Sequence, residues 1–294
     1  MNSVYLQQLD RAVCLASRQS LVKVLTQPHH LGRSKLLEWL ARGKPEGIPS
    51  VARTFWDQAM HVVLPDRVSL TLLRYGFFEA DLTRAFIRLL RPGMVFFDVG
   101  AHIGYFSLLA SELVGAQGRV HGFEPTPTTF AVLRQNTDSI ANITLVNAAV
   151  YSQGGPLQLQ DFGVTFSAFN SIYAGKMQDR EGRGLRPHEY TAQAVTLAHY
   201  IETTQVKPNV IKIDAEGAEL SILQGLEPAF GRYRPILTIE VGDTTASGDM
   251  PRSRPVVDWL IAHDYRPTEF QKGEFVPHRP QNTYHYTNLV CFPE

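Results

Sequence analysis

The most constraining feature is a short apolar run that stops at a glycine turn and gives way at once to a second, amphipathic run. Met94-Val95-Phe96-Phe97-Asp98-Val99 reads as a strand buried on both faces. Asp98-Val99-Gly100-Ala101-His102-Ile103-Gly104 is the turn, and Tyr105-Phe106-Ser107-Leu108-Leu109-Ala110 opens a helix. The rhythm then repeats. Arg119–Glu124 is a second strand, followed by a helix from Pro127 to about Ser139, and Ile143–Val146 is a third. Val210–Asp214 is a fourth, with a helical run from Ala218, and Ile236–Val241 is a fifth. Asn288–Phe292 reads as a last strand. Strands alternating with helices join through right-handed crossovers, which predicts an α/β fold with a doubly wound sheet.

The flanks follow a different pattern. Leu6, Leu9, Val13 and Ala16 recur at helical spacing, and Leu31–Leu40 offers a second stripe. Residues 42–49 are rich in glycine and proline and read as a connection. These observations predict a helical cap or dimerisation region over 1–70 and a main domain over 71–294. An insertion at about 151–194 interrupts the main domain, with a short alternating strand at Leu157-Gln158-Leu159 and a polar stretch, Gly175–Gly184. The aromatic residues Phe162, Phe166, Phe169 and Tyr173 either wall an acceptor site or anchor the insertion. Ser167–Ser171, between them, offers polar groups to an acceptor.

Composition excludes several classes. In 294 residues, 28 Lys and Arg balance 28 Asp and Glu, which gives no electrostatic reason to expect nucleic acid or an anionic membrane as partner. Cys14 and Cys291 are the two cysteines, far apart and without ligand spacing, so neither a disulfide scaffold nor a zinc site is expected and a cytoplasmic setting fits. The first residues lack the features of a leader, and no apolar run reaches the roughly 20 residues of a membrane span.

The chemistry gathers at strand ends. A glycine turn into a helix N-terminus favours an anionic or electron-rich ligand. Glu124 follows Gly104 by 20 residues and closes the second strand, where a carboxylate can accept both hydroxyls of a ribose. The central glycine of Gly-x-Gly-x-x-Gly is absent, which disfavours a dinucleotide with its pyrophosphate. The pattern suits S-adenosylmethionine, whose charged end is an amino acid.

These residues carry a family resemblance. Asp98–Tyr105, Phe123-Glu124-Pro125, Asn147-Ala148-Ala149 and Ile211-Lys212-Ile213-Asp214-Ala215-Glu216-Gly217-Ala218-Glu219 are similar to the motifs of FkbM-type S-adenosylmethionine-dependent methyltransferases. The resemblance starts with Tyr75-Gly76-Phe77-Phe78-Glu79 and covers roughly 70 to 294. It implies a class I methyltransferase sheet of about seven strands with the last antiparallel. It also implies O-methylation of a hydroxyl on a sugar, a secondary metabolite or another small molecule, with S-adenosylhomocysteine as product. Asp98, Gly100, His102 and Gly104 would line the methionine end, Glu124 with Pro125 the ribose, and Asn147 with Ala148 the adenine. Where the family commonly has a Leu-Asp pair this chain has Leu197-Ala198-His199, so that carboxylate role is lost or passes to His199.

Asp214 and Glu216, at the end of the fourth strand, are candidates for orienting the cofactor amino group or taking a hydroxyl proton; His199 is a further candidate base. A helix cap is the competing reading for Asp214, and first-turn stabilisation for Glu216. Asp214, Glu240 and Asp243 can in principle offer oxygens to Mg²⁺, an arrangement admitted but not favoured. His29, His30, His263 and His285 read as solvated or locally satisfied. A homodimer through the N-terminal helices is plausible on their amphipathic pattern. A non-catalytic cofactor-binding partner of another enzyme is the rival function, and a nucleotide-dependent oxidoreductase a weaker one. Glu124 and Asp214 facing a cationic sulfonium make the expected pocket locally acidic despite overall neutrality.

Overall fold

The computed structural model describes residues 2–17, 28–41, 44, 46–165, 188–243 and 252–294. Its central sheet is built from β3 (Val95–Val99), β4 (Arg119–Phe123), β5 (Ile143–Val146), β9 (Val210–Ile213), β10 (Ile236–Val241), β11 (Tyr265–Gln271), β12 (Glu274–Pro277) and β13 (Thr287–Pro293). The order is β12-β11-β13-β10-β9-β3-β4-β5. The pairs β5–β4, β4–β3, β3–β9 and β9–β10 are parallel, and β13 enters between β10 and β11 antiparallel to both. This is the class I methyltransferase arrangement, widened to eight strands by β12, which pairs antiparallel with β11. The eighth strand escapes the sequence reading because Glu274-Phe275-Val276-Pro277 is too short to show a period.

Period-two alternation supplies both faces of the sheet with core. Phe97, Val99, Phe123, Ile211 and Ile213 share one core cluster, and Phe96, Val120 and Val210 belong to the other. On the second face lie α4 (Ala80–Leu89) and α5 (Tyr105–Val114); on the first lie α7 (Leu197–Thr204), α8 (Glu219–Leu226) and α9 (Arg254–Ala262). The chain runs outward from β3 through β4 to β5, then returns to the other side of β3 at β9. The direction of winding therefore switches between β3 and β9, and ligands of such sheets bind beyond the carboxyl ends of the strands at that point.

The first third is not purely helical, as the sequence reading had it. Besides α1 (Asn2–Ser17), α2 (Pro28–Ala41) and α3 (Arg67–Tyr75), it contains an antiparallel hairpin, β1 (Ile48–Arg53) and β2 (Ala59–Leu64). Met60, Val62 and Leu64 bury the alternate positions of β2, a period of two that a helix cannot use. Trp56, in the hairpin turn, packs against Tyr105 at 5.5 Å between ring centroids. The insertion holds β6 (Ala149–Val150), β7 (Gly155–Asp161) and β8 (His188–Val195) as a three-stranded sheet, with β7 and β8 as a hairpin. The expected strand at Leu157–Leu159 lies inside β7. Phe166, Phe169, Tyr173, Ser167–Ser171 and Gly175–Gly184 lie outside the described residues.

One buried amide fixes the hairpin to the glycine turn. Asn136, on α6 (Pro127–Thr137), accepts from the His61 N–H at 2.6 Å. Its amide donates to the carbonyls of His61 (3.0 Å) and Ile103 (2.8 Å). Removing it strands a buried donor and two acceptors, and unsatisfied groups of this kind cost about 1–3 kcal/mol each. Asn136→Ala is expected to lower unfolding free energy by about 2–4 kcal/mol in urea titration.

Candidate active site

The glycine turn is built by strand crowding. Gly100 has φ +76°, and a Cβ there would lie 1.8 Å from the Asp214 carbonyl oxygen, so the turns after β3 and β9 touch through backbone. The N–H groups of Gly100 and Ala101 both donate to the Phe123 carbonyl, at 3.0 and 2.9 Å, pinning the turn to the end of β4. Gly104, the residue before α5, has φ +96°, and a Cβ there would meet Leu133 at 2.7 Å. His102 between them is also left-handed, at φ +52°. The glycines expected for ligand approach are thus required already by the protein's own contacts.

Glu124 is buried beside this turn. Its Oε2 accepts from the His102 N–H (3.1 Å) and its Oε1 from the Thr126 N–H (2.9 Å), fixing both oxygens. Burial raises its pKa above the ordinary carboxylate range, opposed by His102 and by the two N–H donors. The Asn147 amide donates to the carbonyls of Glu124 (2.8 Å) and Pro125 (3.3 Å), so Asn147 holds the loop that presents Glu124. Ala148 beside it is buried. Hydrogen bonds thus join the turn, through His102, to Glu124, and Glu124 and Pro125 to Asn147.

On the other side of β3 stands a charge cluster. Asp98 and Lys212 are register partners across β3 and β9, and both are buried. Asp98 Oδ2 accepts from the Ser107 hydroxyl at 2.7 Å, and Lys212 Nζ lies 3.5 Å from Oδ1. The same Nζ lies 3.2 Å from Asp214 Oδ2 and donates to the Gly100 carbonyl at 3.3 Å. Burial would depress the Lys212 pKa, but Asp214, Asp98 and Glu79 outweigh it and raise the value, so the ammonium stays charged. Burial raises the Asp98 pKa, opposed by Lys212 and Ser107. Asp98 was expected to line the ligand; with no exposed surface, it faces Ser107 and Lys212 instead.

Glu79 is the member that sequence reasoning missed. It occurs in a quoted motif, but no local signal shows that it reaches β9. Burial and then Asp214 push its carboxyl up to about 7, with Lys212 and an Asn288 hydrogen bond opposing.

The remaining candidates divide. Asp214 is partly exposed at the end of β9, and Glu216 follows it with φ +53°. The helix-capping task weighed for Asp214 is not taken up: Ala218 precedes α8 and no side chain caps the helix, while Glu219 Oε1 accepts from the N–H groups of Ala215 and Gly217 in the turn ahead of it at 3.1 Å each. Glu216, Glu240, Arg252 and Tyr286 line a groove beyond β9 and β10. His199 is exposed in the first turn of α7, its N–H bonded by the Thr196 hydroxyl. Among the described residues no hydrogen bond or ion pair joins its side chain to Asp214 or Glu124. Asp243 accepts from the N–H groups of Ser253 and Tyr284, both at 2.7 Å, so both of its oxygens are engaged. Among the described residues no three His, Cys, Asp or Glu side chains are grouped to hold a metal ion. His263 is locally satisfied, stacked on Trp259 and bonded to its carbonyl. No helix among the described residues is long and apolar enough to cross a membrane.

Residues 98–267 match the model of the Methyltransferase FkbM domain, more than half of the chain. The 31-O-demethyl-FK506 methyltransferase FkbM of Streptomyces tacrolimicus is 32% identical over 178 residues, covering 52% of this chain and 67% of that protein. The hexuronic acid methyltransferase AglP of Haloferax volcanii is 26% identical over 153 residues, covering 51% of this chain and 57% of that protein. The chain thus spans little more than half to two thirds of these relatives. The crystal structure of Methyltransferase FkbM from Methylobacillus flagellatus KT aligns with a TM-score of 0.42 at 17% identity, covering 76% of this chain and 54% of that one.

The Glu79 carboxyl gives a pH signature. A carboxyl raised to about 7 in the fold contributes stability that is full below its unfolded value and fades as pH rises through about 7. Glu79→Gln, which cannot ionise, is expected to gain on the wild type by about 2–3 kcal/mol between pH 5 and 8. Denaturant melts at the two pH values measure the difference.

Proposed function

The chain belongs to the FkbM methyltransferase family, and on that premise we propose that it transfers the methyl group of S-adenosylmethionine to a hydroxyl of a small-molecule acceptor. The observation that carries the reading is Glu124. A buried carboxylate, held at the end of β4 by two N–H donors beside a left-handed turn, suits a vicinal diol, which donates two hydrogen bonds to one carboxylate. The relatives named for a hexuronic acid and for an O-demethyl compound support a hydroxyl acceptor.

The residues present fit this cofactor. Glu124 would take the ribose hydroxyls, Asn147 and Ala148 would border the adenine, and the Gly100–Gly104 turn would run beneath the methionine portion. The surplus of carboxylates over Lys212 on the β9 side suits a ligand carrying positive charge. When bound, the cofactor supplies an electrophilic methyl group on a sulfonium, so the protein's task is chiefly alignment.

Asp214 is the best-placed base. It is partly exposed at the mouth of the cleft, with Oδ2 held by Lys212, and can accept the proton that an acceptor hydroxyl loses. Glu216 and Glu240 line the adjoining groove, where acceptor hydroxyls would find acceptors. The Mg²⁺ donor set considered from sequence does not fit: Asp243 is engaged by two N–H groups and Asp214 is paired with Lys212. No step is assigned to a metal.

Glu124→Ala is expected to weaken S-adenosylhomocysteine binding by about 10- to 100-fold in calorimetry, the scale of hydrogen bonds to a charged group. Unchanged affinity overturns the ribose assignment. Asp214→Asn is expected to lower turnover by about 10²- to 10⁴-fold while cofactor affinity stays within about twofold. Equal turnover in the two proteins removes Asp214 as base.

A further inference from the structure

Helix α2 has its polarity reversed. Ser34 and Ala41 are buried against the body of the protein, with Leu37 and Glu38 partly buried between them, a stripe at positions i, i+3, i+4 and i+7. The bonds that hold this side are polar. Arg74 of α3 donates through Nε to the Ser34 hydroxyl at 3.3 Å and through Nη2 to Glu38. The opposite side carries Leu36, Trp39 and Leu40, which are 56, 65 and 42% exposed. Their i, i+3, i+4 spacing makes them neighbours on one face. A surface helix ordinarily turns such a face to the core. Three large apolar groups gathered on one helix side, with a tryptophan the most exposed, mark a surface that meets something other than water.

The charge around this face selects the partner. The chain is neutral as a whole, yet between Asp10 and Glu46 it has seven Lys and Arg against one acidic residue, Glu38. That leaves 21 basic against 27 acidic residues elsewhere. Glu38 is paired with Arg74, and α2 has no other carboxylate to set beside the apolar face. Lys35, next to Leu36, and Lys44, just beyond the helix, are exposed. An apolar face flanked by ammonium groups is complementary to a surface that is anionic outside and apolar within. A second copy of the chain fits less well, because two-fold pairing sets the patch against its own charge. Nucleic acid would offer bases to stack on Trp39 but nothing apolar for Leu36 and Leu40.

We propose that α2 docks the protein on an anionic membrane surface. Leu36, Trp39 and Leu40 enter the boundary between headgroups and acyl chains, and Lys35 and Lys44 lie among the lipid phosphates. Tryptophan suits that depth, where its ring meets apolar chains and its N–H meets water. The contact is peripheral and reversible, and it involves no residue of the cleft.

The test is sedimentation of the full chain with vesicles of phosphatidylcholine alone or mixed with phosphatidylglycerol. Wild type is expected to bind the mixed vesicles about 10-fold or more tightly than the neutral ones, and to lose most of that preference in high salt. Leu36→Gln, Trp39→Gln and Leu40→Gln combined are expected to weaken binding by about 10- to 100-fold. The three side chains are exposed, so the variant should melt near the wild-type temperature. Lys35→Glu with Lys44→Glu leaves the apolar face intact and is expected to cut the preference for anionic vesicles by about 10-fold or more. Wild type that shows no preference for the anionic vesicles, or equal binding by both variants, overturns the proposal. So does a wild type that sediments as a dimer where the triple variant is a monomer, because a second copy then covers the face.

Discussion

The site depends on one buried ion pair. Asp98 and Lys212 face each other across β3 and β9, the two strands between which the sheet reverses its winding. A lone lysine there would lose its proton or leave the core, because desolvating a single charge costs more than a domain can spare. Paired, it stays charged and binds three things at once: the β3 carboxylate, the β9 terminal carboxylate and the carbonyl of the glycine turn. Its Nζ also lies over the Phe106 ring, 5.4 Å from the centroid, a cation–π contact that adds to its fixing. The pair fixes where the turn sits relative to Asp214, and the remaining distances of the cleft follow from it.

The parallel strands and the glycine turn were legible in the sequence because both leave strong local marks. Val95–Val99 and Val210–Ile213 are apolar runs each broken by one charged residue, Asp98 and Lys212, and Gly100 and Gly104 bracket a turn that takes positive φ. Glu124 was legible through its spacing from that turn. The β1–β2 hairpin was not, since Ile48-Pro49-Ser50 resembles a linker and burial of β2 is decided by partners far away in the chain. Glu79 was illegible for the same reason. Its chemistry comes from Asn288, more than two hundred residues on, and from Lys212, neither of which a local pattern can supply.

Two assignments changed their physical meaning. Gly100 was read as making room for a ligand, whereas the Asp214 carbonyl already occupies that room, so the residue is a contact between two turns. Asp98 was read as a ligand-facing carboxylate and is an internal counter-ion. In both cases the residue type demanded by the motif is right, but the demand arises from strand-to-strand packing. A motif can therefore be retained because it assembles the cleft, while different residues, more exposed and less tied to local pattern, meet what enters it.

The position of β13 carries a consequence for assembly. It is the last strand in chain order, yet it lies between β10 and β11 and provides Asn288 to Glu79, a residue from the first third of the sequence. During synthesis the five parallel strands can pair before β13 has left the ribosome, but β10 and β11 cannot close on one another without it. Until then, both present open edges, and Glu79 lacks its Asn288 hydrogen bond. The cleft is thus completed by the late-arriving strand, so a nascent chain of this fold acquires its core early and its chemistry last.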